Sequence, residues 1–338
     1  MTLTDERAVD RRAPRFDVAG VARYAFLAAF AALFVFFSLQ TSAFLRASNL
    51  GNALEGSMIL LLIALALTLV ISSGGIDLSA GTALDFGAWF ALAAMASFGL
   101  PWPVAVLAAV GGGALVGTLN AFLIVRLGVT PFLATLGTFF IGRSAQQIGT
   151  NGGANISYRA APEGFRELTG GTVLGVPNEV LLVGLLLVAF TLYLHRSPHG
   201  RRIEAIGLQP SAARVAGLAT DRYRVFVYVT AGVVCAIAGI LLSSGLRIYT
   251  PMAGFTYLLD GIAAVFIGAT MHPRSRPNVP GTLVGVLFLG MLGNGLDLLG
   301  LDFNTKAAVR GIVLLLALVL AFTVSKQVAA RAAKRESP

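Results

Sequence analysis

The chain has 338 residues, of which 56% are hydrophobic and only 12% charged. Soluble domains carry about 25% charged residues, so a soluble globular protein of this size is excluded; thirty-nine glycines fit membrane helices that pack closely. The net charge of +9 does not indicate nucleic acid. The basic residues flank apolar runs and have no interleaved aromatics on which bases could stack.

A spanning helix needs about 20 mostly apolar residues. By that measure the sequence predicts an all-α polytopic membrane protein of about ten transmembrane helices, at 21–39, 55–72, 78–98, 103–125, 130–149, 180–196, 224–245, 257–271, 281–299 and 307–325. The eighth is short enough to be re-entrant or broken. The first is longer than the roughly 7–15 residues of a signal h-region and reads as a retained helix. A basic N-tail (1–20) precedes this transmembrane domain of 21–325, and a basic C-tail (326–338) follows it. With the N-terminus inside, eighteen Lys and Arg fall on the inner face and five on the outer. That asymmetry places both termini in the cytoplasm.

SSGGIDLSAG, at 72–81, interrupts the apolar pattern after the second segment. Gly74 and Gly75 suit the left-handed conformation that ends a helix. Asp77 is then placed to cap the next helix by accepting from N–H groups near Ser79 and Ala80; the alternative role is contact with substrate or a coupling ion. Ionisable residues cost roughly 2.5–3.5 kcal/mol each at membrane depth. Glu55, Asp77, Asp85, Arg143, Asp260, Asp297 and Arg310 are the candidates. Asp85 and Arg143 lie deepest within their segments, where a polar cavity or an intramembrane pair would explain them.

Two loops are long and polar. The outer one, 150–179, is glycine-rich and suits a short helix or hairpin. The inner one, 197–223, contains LQPSAARVAGLA, in which Pro210 suits a first helical turn and Gly217 the position after the last. Ala212, Val215 and Ala216 then form one small apolar face, suited to helix-in-groove docking. GALVG at 113–117 recurs as GTLVG at 281–285, on helices predicted to run in opposite directions. Either helices 2–5 and 7–10 are an inverted repeat, or both pentapeptides are small-residue packing faces.

Several kinds of chemistry lack their parts. There is no nucleotide-binding phosphate loop, no H-E-x-x-H and no G-x-S-x-G, and the three histidines lack metal-ligand spacing. The single cysteine, Cys235, sits in an apolar run and reads as a small buried side chain. No cofactor is expected, and the chain is not expected to be an enzyme. If nucleotide hydrolysis drives transport, another chain must bind the nucleotide.

GIDLSAG at 75–81, PFLATLG at 131–137 followed by Arg143, GLQPSAARVAGL at 207–218, LDGIAAVFIGA at 259–269 and NGLDLLG at 294–300 together resemble the membrane permeases of bacterial ribose/xylose-type ABC sugar importers. The motifs occur in the same order over roughly 50–325. The resemblance implies a multi-pass inner-membrane permease, paired with a second permease chain as homo- or heterodimer. It also implies a cytoplasmic ATPase pair and a periplasmic sugar-binding protein. The inner loop would be the coupling element that fits a groove on the ATPase, with Gly207, Pro210, Ala212, Ala213 and Gly217 as its residues. Asp77, Thr135, Arg143 and Asp260 match membrane positions shared with the family.

Two stretches depart from the family pattern. Leu208 and Gln209 replace a glycine and an asparagine, and MHPRSRPNVPG at 271–281 replaces a glycine-rich turn, which favours a different ATPase partner or a heterodimer. An uncharged sugar needs hydrogen bonds and aromatic faces, so Asn120, Thr135, Phe139 and Asn294 join the expected path. The rival reading is a secondary transporter coupled to ions through Asp77, Asp85, Asp260 or Asp297. Importers of branched-chain amino acids or of a signalling furanose differ from the main reading only in cargo.

Overall fold

A computed structural model describes residues 18–302, 304–313, 315, 316 and 319. The cytoplasmic tails predicted at 1–20 and 326–338 fall outside these residues, except for 18–20 at the start of the first helix. The described chain is an all-α polytopic membrane protein. Helix α1 (Val18–Gln40) is followed by α2 (Ala47–Gly56), which runs almost directly into α3 (Met58–Ser72). Next come α4 (Ala80–Ala96), α5 (Trp102–Ala121) and α6 (Pro131–Gly149). The outer loop supplies strand β1 (Ile156–Ser157), helix α7 (Glu163–Gly170) and strands β2 (Thr172–Val173) and β3 (Val176–Pro177). Beyond it lie α8 (Asn178–Thr191), α9 (Pro198–Leu208), α10 (Pro210–Val215), α11 (Thr220–Leu246), β4 (Ile248–Tyr249), α12 (Ala253–Thr270) and α13 (Val279–Leu298). Both α5 and α8 finish in a π-helical turn, at Phe122–Arg126 and Leu192–Arg196.

Among the described residues, six helical runs are long and apolar enough to cross a membrane: Ala47–Ser72, Trp102–Arg126, Asn178–Arg196, Thr220–Leu246, Ala253–Thr270 and Val279–Leu298. Phe26–Gln40 and Ala80–Ala96 are shorter apolar helices. The segment expected to be short, 257–271, lies in an unbroken helix of 18 residues. The tenth expected segment is helical at 304–313, and most of its remainder lies outside the described residues. The outer loop forms both of the elements expected of it. Strands β2 and β3 pair as a hairpin, and α7 packs under α11, where Ser244 Oγ donates to the Phe165 carbonyl at 2.6 Å.

Helices α3 and α11 lie side by side at the centre; α11 also packs on α4 and α5, and α3 on α12 and α13. These contacts depend on missing side chains, because van der Waals packing between helices in lipid requires close backbones. A Cβ at Gly113 would overlap the carbonyl oxygen of Gly232, and one at Gly117 that of Tyr228. On the other side, a Cβ at Gly281 would overlap the Gly268 carbonyl oxygen, and one at Gly285 that of Ala264. Both copies of the repeated pentapeptide are therefore packing faces. A buried pair of hydroxyls, Thr68 and Thr282, joins α3 to α13 at 2.7 Å.

Gly239 tests this packing. A Cβ there would overlap the Leu84 carbonyl oxygen, whereas one at Gly184 on α8 meets nothing within 4 Å. Gly239→Val is expected to destabilise the detergent-solubilised protein by about 1–3 kcal/mol or more, and Gly184→Val to leave its melting temperature nearly unchanged.

Candidate functional site

Helix α3 ends as its glycines require. Gly74 takes the left-handed φ of +80°, its N–H donates to the Ile71 carbonyl, and the Gly75 N–H donates to that of Val70 at 3.1 Å. This is the Schellman arrangement of a helix C-terminus. Gly75 is not left-handed as expected; it is needed for space, because a Cβ there would overlap Tyr228 Oη. The chain then runs without helix to α4. Asp77, only 3% exposed, accepts at Oδ1 from the Ser79 N–H at 2.8 Å and from Ser79 Oγ at 2.6 Å. It organises the turn into α4, as a cap residue does. From α5, Asn120 Nδ2 donates to Ser79 Oγ at 2.6 Å. Asn120 Oδ1 and Tyr228 Oη, both buried, have no partner among the described residues.

Four residues after Asp77, at Gly81, the start of α4 meets the start of α12. A Cβ on Gly81 would lie 2.7 Å from the Gly254 carbonyl oxygen, and one on Gly254 would overlap the carbonyl oxygen of Gly81. Here Asp85 Oδ1 accepts from the Gly254 N–H at 2.9 Å. That N–H is one of the first-turn donors without an intrahelical acceptor, so a carboxylate from another helix caps α12. Gln146 on α6 holds the approach to α12, its Oε1 accepting from Tyr249 Oη and from the Met252 N–H, each at 2.9 Å. Met252 itself takes a left-handed φ of +69°, uncommon outside glycine.

Thr135 and Phe139 on α6 belong to the same region. Thr135 Oγ1 donates to the Pro131 carbonyl at 2.9 Å and lies 3.3 Å from that of Ile76. The Phe139 ring sits 5.7 Å from that of Phe255, at the start of α12. Ile76 and Phe255 are exposed, as are Phe132, Leu133, Phe140 and Ile141 on α6, so this side of the molecule presents a broad apolar face. Asp77, Asn120, Thr135 and Phe139 thus form one neighbourhood.

Asp260 and Asn294 form another. Arg310 Nη1 donates to Asp260 Oδ2 at 3.2 Å, which explains two intramembrane charges as one pair. Asn294 exchanges two amide hydrogen bonds with Asn49 on α2, at 2.9 and 3.0 Å. Asp260, Asn294, Arg310 and Thr256 border a cavity of about 410 Å³. Asp297 pairs with Lys306 at 2.5 Å. Arg143 is exposed on α6, one helical turn beyond Phe139, and forms no ion pair among the described residues. Gln146, Tyr228 and Gly254 carried no sequence signal as site residues; Asp85 was marked by its depth within an apolar segment, and Gly81 closes the GIDLSAG motif.

The inner loop folds into α9 and α10. Ser197 Oγ caps α9 by accepting from the Gly200 N–H, and Pro210 starts α10. Gly217, left-handed at φ +79°, closes it: its N–H donates to the Arg214 carbonyl, and the Leu218 N–H to that of Ala213. Ala212, Val215 and Ala216 are exposed, Val215 by 91%, so the small apolar face points away from the protein. Ala213, which the resemblance placed among the coupling-loop residues, is buried and belongs to the loop's own packing. Gly207 faces inward, where a Cβ would overlap the Ser72 carbonyl oxygen and Gly74 lies alongside. The loop is thereby seated on the break that leads to Asp77.

The unusual stretch 271–281 is tied to the same loop. Arg276 pairs with Glu204 of α9, the Val279 N–H donates to His195 Nε2 at 3.2 Å, and Asn278 Oδ1 caps α13 by accepting from the Gly281 N–H at 2.7 Å. His272 Nδ1 accepts from the Arg274 N–H at 3.1 Å, a bond that only the neutral ring can accept. Burial holds the His272 pKa below its usual 6.5, with Arg276 and Arg274 acting in the same direction and Glu204 opposing.

Two predictions follow from these bonds. Asp85→Leu, which leaves the Gly254 N–H unpartnered, is expected to cost about 1–3 kcal/mol, while Asp85→Asn keeps an acceptor and most of the stability; thermal melts of the purified protein decide. The stability linked to neutral His272 is present above pH 6.5 and declines as acidification charges the ring. Melts recorded from about pH 7.5 to about pH 5 should fall less steeply for His272→Gln.

Residues 49–318 match the family model described as "Branched-chain amino acid transport system / permease component". The ribose import permease protein RbsC of Bacillus subtilis (strain 168) is 36% identical over 85% of this chain and 89% of its own length. That of Escherichia coli (strain K12) is 33% identical over 87% and 92%. The autoinducer 2 import system permease protein LsrD of Yersinia enterocolitica is 32% identical over 88% and 92%. No solved structure matches the chain. With most of its length matched by the family model and by full-length relatives alike, the chain belongs to this family of membrane permease components of ABC importers.

Proposed function

We propose that this chain is the membrane-spanning subunit through which a sugar or polyol crosses the bacterial inner membrane, driven by an ATPase on a separate cytoplasmic chain and supplied by a periplasmic binding protein. Both termini lie in the cytoplasm and the chain crosses the membrane about ten times. The Lys and Arg distribution supports that orientation. The ribose-importing relatives support the cargo class.

The observation that carries the proposal is the seat of Gly207 on Ser72–Gly74. Helix α10 offers its exposed apolar face to a groove on the ATPase. A push on α10 passes through α9 to the end of α3, where backbone meets backbone and no flexible side chain absorbs the movement. The break then shifts Asp77, Ser79 and the start of α4, and with it the meeting point with α12. Ile76, Thr135, Phe139 and Phe255 line the path, which closes against the same face of a second permease chain. Asp260 and Asn294 border the path from the cavity they share.

The packing also favours an inverted repeat of helices 2–5 and 7–10. Under it α3, α4 and α5 correspond to α11, α12 and α13. Each leading helix then packs on the second and third helices of the opposite half, and Gly81 and Gly254 meet as equivalent positions near the symmetry axis.

Reconstituted with its ATPase and binding protein, the permease should accumulate sugar in vesicles when ATP is supplied and retain that activity with an uncoupler present. Accumulation by the chain alone on an ion gradient would refute the proposal. Ala212→Trp should abolish ATPase capture. Gly207→Val should instead keep capture but lose at least about tenfold in transport, the loss expected when a tightly packed element is displaced.

A further inference from the structure

A cavity of about 610 Å³ opens between the end of the α8 run, the start of α11 and the loop that closes α10. Its lining includes Arg202, Arg222 and His199, with Tyr193, Tyr223 and Phe226 supplying aromatic walls. Arg202 is held in place, its Nη1 donating to Tyr223 Oη at 3.0 Å, and His199 Nδ1 lies 3.0 Å from the same oxygen. The Tyr193 ring is parallel to His199 and 5.4 Å from Phe226. No carboxylate among the described residues lines the cavity. The ion pairs among the described residues use Arg276, Lys306 and Arg310, so neither lining arginine is paired with a carboxylate there. Asp221, beside Arg222 in sequence, is hydrogen-bonded to Thr220 instead.

The position of the cavity identifies what fills it. Tyr193 lies in the last turn of the span Asn178–Arg196, and Arg222 and Phe226 lie in the first two turns of the span Thr220–Leu246. Aromatic and basic side chains at span ends mark the level of lipid headgroups. Below this level α8 exposes Leu185 and Val188, apolar surface of the kind that acyl chains cover. Guanidinium forks suit phosphate oxygens, and basic pockets between spans hold anionic headgroups.

We propose that this cavity binds the phosphate of an anionic phospholipid, with Arg202 and Arg222 pairing its oxygens and Tyr193 and Phe226 flanking the glycerol. Gly217 and Leu218, where the α10 loop turns back toward the membrane, form part of the lining. A bound lipid therefore braces the loop that the proposed function assigns to the ATPase. That consequence rests on the proposed function, whereas lipid binding rests only on the spans.

The test uses the full chain alone, in nanodiscs of phosphatidylcholine with a titrated fraction of phosphatidylglycerol, with bound lipid read by native mass spectrometry. The expected result is a preference of about tenfold for phosphatidylglycerol, lost in Arg202→Gln/Arg222→Gln and retained in Arg202→Lys/Arg222→Lys, with all variants eluting as folded protein. Equal binding of the two lipids by the unmodified chain overturns the proposal. If inorganic phosphate stabilises the unmodified chain but not the Gln variant while no lipid preference exists, the ligand is a soluble phosphate and the lipid assignment falls. It falls equally if the Gln variant keeps the lipid preference and loses only ATPase capture. Failure of transport or of ATPase capture in the unmodified protein bears on the proposed function and leaves this measurement untouched.

Discussion

Two helix starts meet backbone to backbone at Gly81 and Gly254, and the rest of the architecture is arranged around that contact. Neither residue tolerates a Cβ there, and the Gly254 N–H is satisfied by a carboxylate from the opposite helix. In lipid an unsatisfied backbone donor costs several kcal/mol, so a helix that begins inside the protein must import its cap. Asp85 is that import. This accounts for an acidic residue within an apolar segment without invoking ion coupling.

The same logic links the membrane part to the inner loop. Gly74 and Gly75 end α3 within reach of Gly207 on one side and Tyr228 on the other. Asp77 and Ser79 then carry the chain into α4, with Asn120 hydrogen-bonded to Ser79. A glycine contact transmits displacement because nothing between the two backbones can rotate out of the way. The basic stretch 271–281, which looked from sequence like an anomaly, is fastened to α9 through Arg276 and Glu204 and to the end of the α8 run through His195. It is thereby fastened to the element that carries the loop 197–223.

Much of this was legible in the order of residues. The ends of α3 and α10 were read from Gly74 and Gly217, and the turn into α4 from Asp77. The exposed apolar face of α10 was read from the spacing of Ala212, Val215 and Ala216. Each of those features is decided within about one helical turn, where a left-handed φ or an aspartate reaching two residues ahead has the same consequence in any fold. Ala213 is buried because even a six-residue helix packs one side against its neighbour, and it lies on that side rather than on the exposed face. Arg143 was expected in a cavity or a pair and is exposed on α6, since its depth along a segment does not say which way that side of the helix faces.

The sequence by itself determined the class, the helical segments and most of their ends, because apolar run length, charge asymmetry and cap chemistry are properties of neighbouring residues. Tertiary structure alone decided which glycines are indispensable, which carboxylate caps which helix, and which polar residues share a cavity. Asp85 and Gly254 are 169 positions apart, and a glycine in isolation carries no mark of the carbonyl that will press against it. Such choices depend on what faces what across the packed helices, and that is settled only when the whole bundle forms.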